Sequence, residues 1–88
     1  MSVQLEKEKA EIMFKLARKE NWGGKYDRTE HFKRFQNLNG IIKELSKLQC
    51  ILLYKKQNFT GISLNPEFKK EIREFILLHI PNVGEMIK

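Results

Sequence analysis

The sequence has few of the residues on which covalent and metal chemistry depends. Among its 88 residues there is one cysteine, Cys50, and there are two histidines, His31 and His79, far apart along the chain. One cysteine cannot form an intramolecular disulfide or a cysteine cluster for a metal, and the apolar residues 51–53 that follow it predict a buried thiol. Neither histidine belongs to an HExxH motif. We therefore expect no zinc site and no redox chemistry.

Motifs for phosphate binding and nucleophilic catalysis are also missing. The glycine pair in WGGKY, residues 22–26, lacks the spaced glycines and the Lys-Ser/Thr pair of a phosphate-binding loop. Ser46 and Ser63 have no evident base partner in the sequence. These absences predict a protein that is not an enzyme and that requires no cofactor.

Long apolar runs are absent as well. The run FILLHI at 75–80 falls far short of the roughly 20 residues that cross a bilayer, and the first residues, MSVQLEKEKAEIMF, do not resemble a secretory leader. We therefore expect a cytoplasmic protein. The length and the 41% hydrophobic content predict one small domain over 1–88, with a core from about 5–79 and a short C-terminal tail at 81–88.

Positive charge is abundant and unevenly distributed. The net charge is +6, and the two ends of the chain are close to neutral. Residues 15–36 hold seven basic and three acidic side chains, and residues 37–65 hold four basic and one acidic. A concentrated positive field favours a polyanionic partner, because each phosphate contact releases condensed counterions. A lysine-rich surface that serves only solubility is the alternative.

Hydrophobic spacing predicts three helices in the first half of the chain. The first spans about 4–20, and the NWGGKYD loop follows it. Asp27 and Glu30 have the spacing of a capping pair for a short second helix at about 28–35. A third helix is predicted at about 39–48.

Two strands and a fourth helix are predicted in the second half. CILLYKK and GISL, at 50–56 and 61–64, have the composition of short antiparallel strands joined by the QNFT bend. In NPEF, Asn65 is a typical N-cap and Pro66 is favoured at the first helical position. The fourth helix then runs to about His79, before Pro81 ends it.

This order of elements resembles the winged helix-turn-helix domain, over about Leu5 to His79. The segment 39–76, NGIIKELSKLQCILLYKKQNFTGISLNPEFKKEIREFI, is similar to the recognition helix, wing and LNPEFKKEI helix start of small archaeal and bacterial transcription regulators. The resemblance implies an α+β fold, with a three-helix core followed by a two-stranded β-hairpin wing and a C-terminal helix. In that family the third helix enters the major groove and the hairpin tip touches the adjacent DNA backbone.

One side of the predicted third helix is polar and basic, whereas Leu38, Ile41, Ile42, Leu45 and Leu48 should face inward. Asparagine and glutamine amides can pair with adenine, lysines can reach guanine or phosphate, and glycine permits close backbone approach. Turn formation is the alternative for the asparagines, and solvation for the lysines. The residues predicted to contact DNA from helices two and three are Arg28, Lys33, Arg34, Gln36, Asn37, Asn39, Gly40, Lys43, Ser46 and Lys47.

The hairpin supplies a second predicted contact. If KKQNFTG is the wing, Lys55, Lys56, Gln57 and Asn58 would reach phosphates beside the groove that the third helix occupies. The alternative is that the lysines protect an edge strand from pairing with other chains. Three aromatic side chains have two open roles each, contact with a nucleotide or packing on the core: Trp22, Tyr26 and Phe59.

The last predicted helix has more apolar residues than one buried face needs. Phe75, Leu77 and Leu78 therefore predict a homodimer through this helix and the first helix, unless the C-terminal PNVGEMIK covers them.

Taken together, these features predict a winged-helix protein that binds double-stranded DNA and regulates transcription. The alternative is an adaptor or subunit that docks on another protein, and RNA binding is a third possibility.

Overall fold

The fold combines three α-helices with a three-stranded antiparallel sheet, so the predicted α+β class is confirmed. The computed structural model describes residues 3–82. The elements in chain order are α1 (Val3–Arg18), β1 (Asp27–Arg28), a 3-10 helix (Thr29–Phe32), α2 (Leu38–Lys47), β2 (Ile51–Lys55), β3 (Thr60–Leu64), a second 3-10 helix (Pro66–Phe68) and α3 (Lys69–His79). Most of the predicted tail, residues 83–88, lies outside the described residues.

The sheet has the order β1-β3-β2, with β3 in the centre. β2 and β3 pair antiparallel from Ile51 opposite Leu64 to Lys55 opposite Thr60, close to the bounds predicted for the two strands. β1 adds two residues on the far edge of β3, through Asp27 opposite Ile62. This third strand was not predicted, because two residues are too few to show an alternating pattern.

The core lies between the three helices and the inner face of the sheet. Each main element contributes buried apolar side chains, which is the arrangement expected when amphipathic elements cover one another. The core consists of Ile12, Met13, Leu16, Ala17, Phe32, Phe35, Ile41, Ile42, Leu45, Ile51, Ile62, Leu64, Ile72 and Ile76.

The predicted second helix at 28–35 is wrong. Thr29–Phe32 form one short 3-10 helix, and turns connect it to α2. The predicted cap is also wrong, because Asp27 lies in β1 and no side chain caps the 3-10 helix. The Asp27 carboxylate is instead held by Lys19 and His31, which fixes this segment as an edge strand.

The end of α2 corrects a second prediction. Leu48, expected to face inward, is 58% exposed because it caps the helix after Lys47 and no longer follows its apolar stripe. Gln49 next adopts a positive φ of 66°, which turns the chain toward β2. Cys50, expected to be buried, is half-buried.

The start of the last helical segment agrees with the prediction. The Asn65 side chain accepts a hydrogen bond from the Glu67 backbone N–H at 3.1 Å, and Pro66 occupies the first helical position. A 3-10 turn precedes the α-helix proper, which ends at His79 as expected. Over residues 3–82, no helix combines the length and the apolar character that a membrane span requires.

Candidate nucleic-acid interface

The helix α2 corresponds to the predicted third helix, and its outward side is polar, basic and exposed, as predicted. Asn39, Gly40, Lys43 and Lys47 are exposed, and Ser46 is half-buried. The side chains that alternate with them along the helix, Ile41, Ile42 and Leu45, anchor α2 in the core.

The two α2 lysines are not used to hold the fold together. In the part of the chain that the structure describes, neither Lys43 nor Lys47 takes part in an ion pair. They are four residues apart, so they lie one turn from each other on the same side of the helix. Two cations in adjacent positions are therefore available to an anion from outside.

Glu44, a neighbour of these lysines on α2, carries a charge that is paired. Glu44 accepts a hydrogen bond from the Lys9 ammonium at 2.5 Å, and Glu6 lies 3.2 Å from the same nitrogen. The Lys9 side chain is only 6% exposed. Burial alone would lower the pKa of Lys9, but the hydrogen bonds to Glu44 and Glu6 outweigh it and raise that pKa. This pair ties α2 to α1.

The residues predicted from the short second helix lie on β1 and on the turns before α2. Lys33, Arg34, Gln36 and Asn37 are all exposed there. The Arg34 guanidinium lies over the ring of Phe35, 4.3 Å from its centroid. Asn37 occupies the N-cap position of α2, but its side chain makes no capping hydrogen bond. Its amide is therefore not occupied by the turn.

The predicted hairpin contacts surround the turn between β2 and β3. Lys55, Lys56, Gln57 and Asn58 are exposed. The backbone N–H of Lys56 donates to the Phe59 carbonyl at 2.8 Å and closes the turn. Among residues 3–82, these two lysines also take part in no ion pair.

Arg28 belongs with the hairpin and not with α2. It lies on β1 opposite Gly61 of β3, and its guanidinium carbon is 4.2 Å from the centroid of the Phe59 ring. Glu30 lies 3.5 Å from the same guanidinium, with both side chains half exposed. The predicted contacts thus form two groups, one on α2 with its preceding turns and one on the sheet and hairpin.

Three aromatic rings on the outer side of the sheet form a cluster that the sequence did not predict. Tyr26 stacks on Tyr54 with centroids 5.2 Å apart, and Phe59 lies 6.0 Å from Tyr26. The Tyr54 hydroxyl donates to the Gly23 carbonyl at 2.6 Å, which holds the Tyr54 ring in place. No local signal identifies the cluster, because β-pairing brings together residues from three separate segments.

Trp22, the third aromatic residue with two open roles, packs on the core. It is half-buried and forms an isolated parallel bridge with Leu64. The Lys69 ammonium lies 5.2 Å from the centroid of its ring. Of the two roles left open for Trp22, the structure supports packing.

A polar cluster at Asp27 was also missed. Lys19 donates to one carboxylate oxygen at 2.8 Å, and His31 Nδ1 lies 2.5 Å from the other. Although burial would raise the pKa of Asp27, these hydrogen bonds outweigh it and lower that pKa. Lys15 also donates to the His31 carbonyl at 3.0 Å. Both lysines were counted in the basic segment, but Lys15 joins α1 to the 3-10 helix, and Lys19, just after α1, joins it to β1.

A groove between the three α-helices is a further concave feature. It has a volume of about 290 Å³ among mostly apolar side chains, with Glu71 and the ion-paired Lys9, Glu6 and Glu44 on its walls. Cys50 also lines it, and burial together with the Glu71 charge raises the pKa of this thiol. A raised pKa keeps the thiol protonated and weakens it as a nucleophile. The groove is mostly apolar, unlike the outward side of α2.

Comparisons with protein-family models, with curated proteins and with solved structures find no match. Over residues 3–82, the histidine, cysteine and acidic side chains form no group of three that could hold a metal ion. The candidate site is thus defined by its own geometry and charge.

Proposed function

We propose that this protein binds double-stranded DNA as a winged helix-turn-helix regulator of transcription. In this proposal α2 enters the major groove, and the hairpin of β2 and β3 contacts the phosphate backbone. The observation that carries the proposal is the outward side of α2, where Lys43 and Lys47 are exposed beside Asn39 and Gly40. An exposed helix with amides, cations and a glycine has the groups that major-groove recognition uses.

The remaining cations have a consistent role. Lys33 and Arg34 precede α2, and Lys55 and Lys56 extend from the hairpin, so they suit phosphates on either side of the groove. The protein would contribute binding and no chemistry of its own. Regulation would follow from occupation of the DNA site.

A second copy of the chain is the partner that we propose for α3. Leu78 is 75% exposed, and Phe75 and Leu77 are half-buried beside it. A twofold contact through these side chains would present two α2 helices to successive half-sites.

We expect a dimer by light scattering at tens of micromolar, and Leu78→Gln should shift it toward a monomer. A wild-type monomer at that concentration would contradict the dimer. The same exposed side chains would serve the alternative function, docking on a different protein.

The DNA proposal is tested by fluorescence anisotropy with a labelled random duplex at two salt concentrations. We expect Lys43→Ala/Lys47→Ala to weaken binding about tenfold or more at low salt, because two phosphate or base contacts are lost. The matched control is Lys70→Ala/Arg73→Ala, which removes the same charge from exposed positions on α3. The control should bind nearly as well as wild type.

Two results would contradict the proposal. Equal losses in both double variants, with the oligomeric state of the control unchanged by light scattering, would mean that net charge, and not the α2 surface, drives binding. If the wild-type protein does not bind duplex at low salt, DNA binding is wrong and a protein partner becomes the better explanation.

A further inference from the structure

The rings of Tyr26, Tyr54 and Phe59, which we call the aromatic ledge, lie on the outer side of the sheet. Tyr54 and Arg28 are both paired with Gly61, one from each neighbouring strand, so their side chains share the face opposite the core. Tyr26 covers this face and is 38% exposed. The sheet therefore presents an aromatic surface to solvent on the side that the helices leave uncovered.

Gly61 gives the ledge its shape. A Cβ atom at this position would lie 2.4 Å from Cδ1 of Tyr26, closer than such atoms can approach. The missing side chain lets the Tyr26 ring lie directly on the central strand, where Tyr54 and Phe59 border it. The ring is thus held in place by the backbone beneath it and by two neighbouring rings.

Two cations border the ledge. Arg28 stacks on Phe59, and the Lys56 ammonium lies 5.9 Å from the centroid of the Tyr26 ring. Both residues belong to the surface that we propose for DNA, so the ledge continues the hairpin side of that surface. Aromatic faces beside positive charges are the features that bind unpaired nucleotides, because every base stacks and every linkage carries a phosphate.

We propose that the aromatic ledge binds an unpaired base next to the duplex, and that the preferred ligand is duplex DNA with a single-stranded end. This inference rests on the proposed function. Base pairs inside a duplex stack on one another, so they offer Tyr26 no free face, whereas an unpaired base does. Arg28 and Lys56 would then contact the phosphates that flank this base, while α2 holds the duplex.

The test compares a blunt duplex with the same duplex carrying a four-nucleotide single-stranded tail, by competition anisotropy. One stacked base is worth about tenfold in affinity, so the wild-type protein should prefer the tailed duplex by about that factor. Tyr26→Leu keeps an apolar cover over Gly61 but removes the stacking ring, and it should abolish the preference. Tyr26→Phe is the matched variant and should retain it.

A second readout does not depend on how the variants fold. With 2-aminopurine as the first unpaired base, binding to the wild-type protein should quench its fluorescence, because stacking on an aromatic ring quenches this base. Circular dichroism melting of Tyr26→Leu shows whether its fold is intact.

The outcomes separate the two proposals. Equal affinity for blunt and tailed duplexes, or a preference that survives in a folded Tyr26→Leu, would overturn the ledge and leave the α2 proposal standing. Binding to a free single strand but not to a blunt duplex would overturn the α2 proposal and support the ledge.

Discussion

Neighbouring charged residues of α2 differ in whether the fold has paired them. Glu44 pairs with Lys9, whose ammonium is buried between α1 and α2. Lys43 and Lys47, in contrast, are exposed, and none of the ion pairs within residues 3–82 includes them. Net charge alone therefore does not identify a binding surface. The charged side chains that take part in no ion pair within the fold are the ones that indicate a binding surface.

The same distinction holds between the Asp27 cluster and the hairpin. Lys19 is exposed, yet its ammonium is committed to the Asp27 carboxylate. Lys55 is exposed as well, but no described carboxylate lies within pairing distance. From the sequence the two lysines appear equivalent, and only the second is available to a partner.

The largest expected effect on stability comes from removing the ion pairs of Lys9 with Glu44 and Glu6. Lys9→Ala should lower the free energy of unfolding by about 2 kcal/mol, because two carboxylates lose their cation, although their own partial exposure limits the loss. Lys7→Ala is the matched control on the same helix, since Lys7 is exposed, and should cost less than about 0.5 kcal/mol. Urea unfolding at neutral pH measures both.

The pH dependence of the Lys9 effect has a definite sign. Because the folded pKa of Lys9 is raised above its ordinary 10.5, the stabilisation is complete below pH 10.5 and is lost as the pH rises through the folded value. The difference between wild type and Lys9→Ala should therefore narrow above pH 10.5. If Lys9→Ala and Lys7→Ala unfold at the same urea concentration, the ion pair between Lys9 and Glu44 does not stabilise the contact of α2 with α1.

A smaller effect is expected at the Asp27 cluster. Asp27→Asn should lower the free energy of unfolding by about 1 kcal/mol, because hydrogen bonds from Lys19 and His31 to a charged acceptor are weakened. The control is Glu30→Gln, whose exposed pair with Arg28 should contribute little. Thermal unfolding between pH 2 and pH 7 measures the two variants.

The stabilisation by Asp27 depends on pH in the opposite direction to that by Lys9. The folded pKa of Asp27 lies below its ordinary 3.8, so the stabilisation is present above pH 3.8 and is lost as the pH falls through the folded value. Wild type and Asp27→Asn should approach each other in acid. A difference that stays constant down to pH 2 would mean that the charge of Asp27 does not stabilise the fold.

The features predicted correctly from the sequence are those that depend on nearby residues. The inward stripe of Ile41, Ile42 and Leu45 follows from helical spacing, and the outward side of α2 follows with it. The Asn65 cap depends on residues two positions apart. The hairpin follows from two β-type runs joined by a short polar bend.

The features that were missed depend on contacts between distant segments. β1 exists only because β3 offers its free edge, and Asp27, a reasonable cap by sequence, is drawn into that pairing. The aromatic ledge needs the sheet to bring residues 26, 54 and 59 together over Gly61. The spacing of residues along the sequence does not predict these contacts.

If the unpaired cations of α2 form the DNA surface, as we propose, the slope of DNA affinity against salt concentration should depend on them. Each phosphate contact contributes about 0.9 to the slope of log affinity against log salt. We predict that Lys43→Ala/Lys47→Ala lowers this slope by about 2 relative to wild type, whereas Lys70→Ala/Arg73→Ala leaves it unchanged. An unchanged slope in the α2 variant, with wild-type binding intact, would contradict the claim.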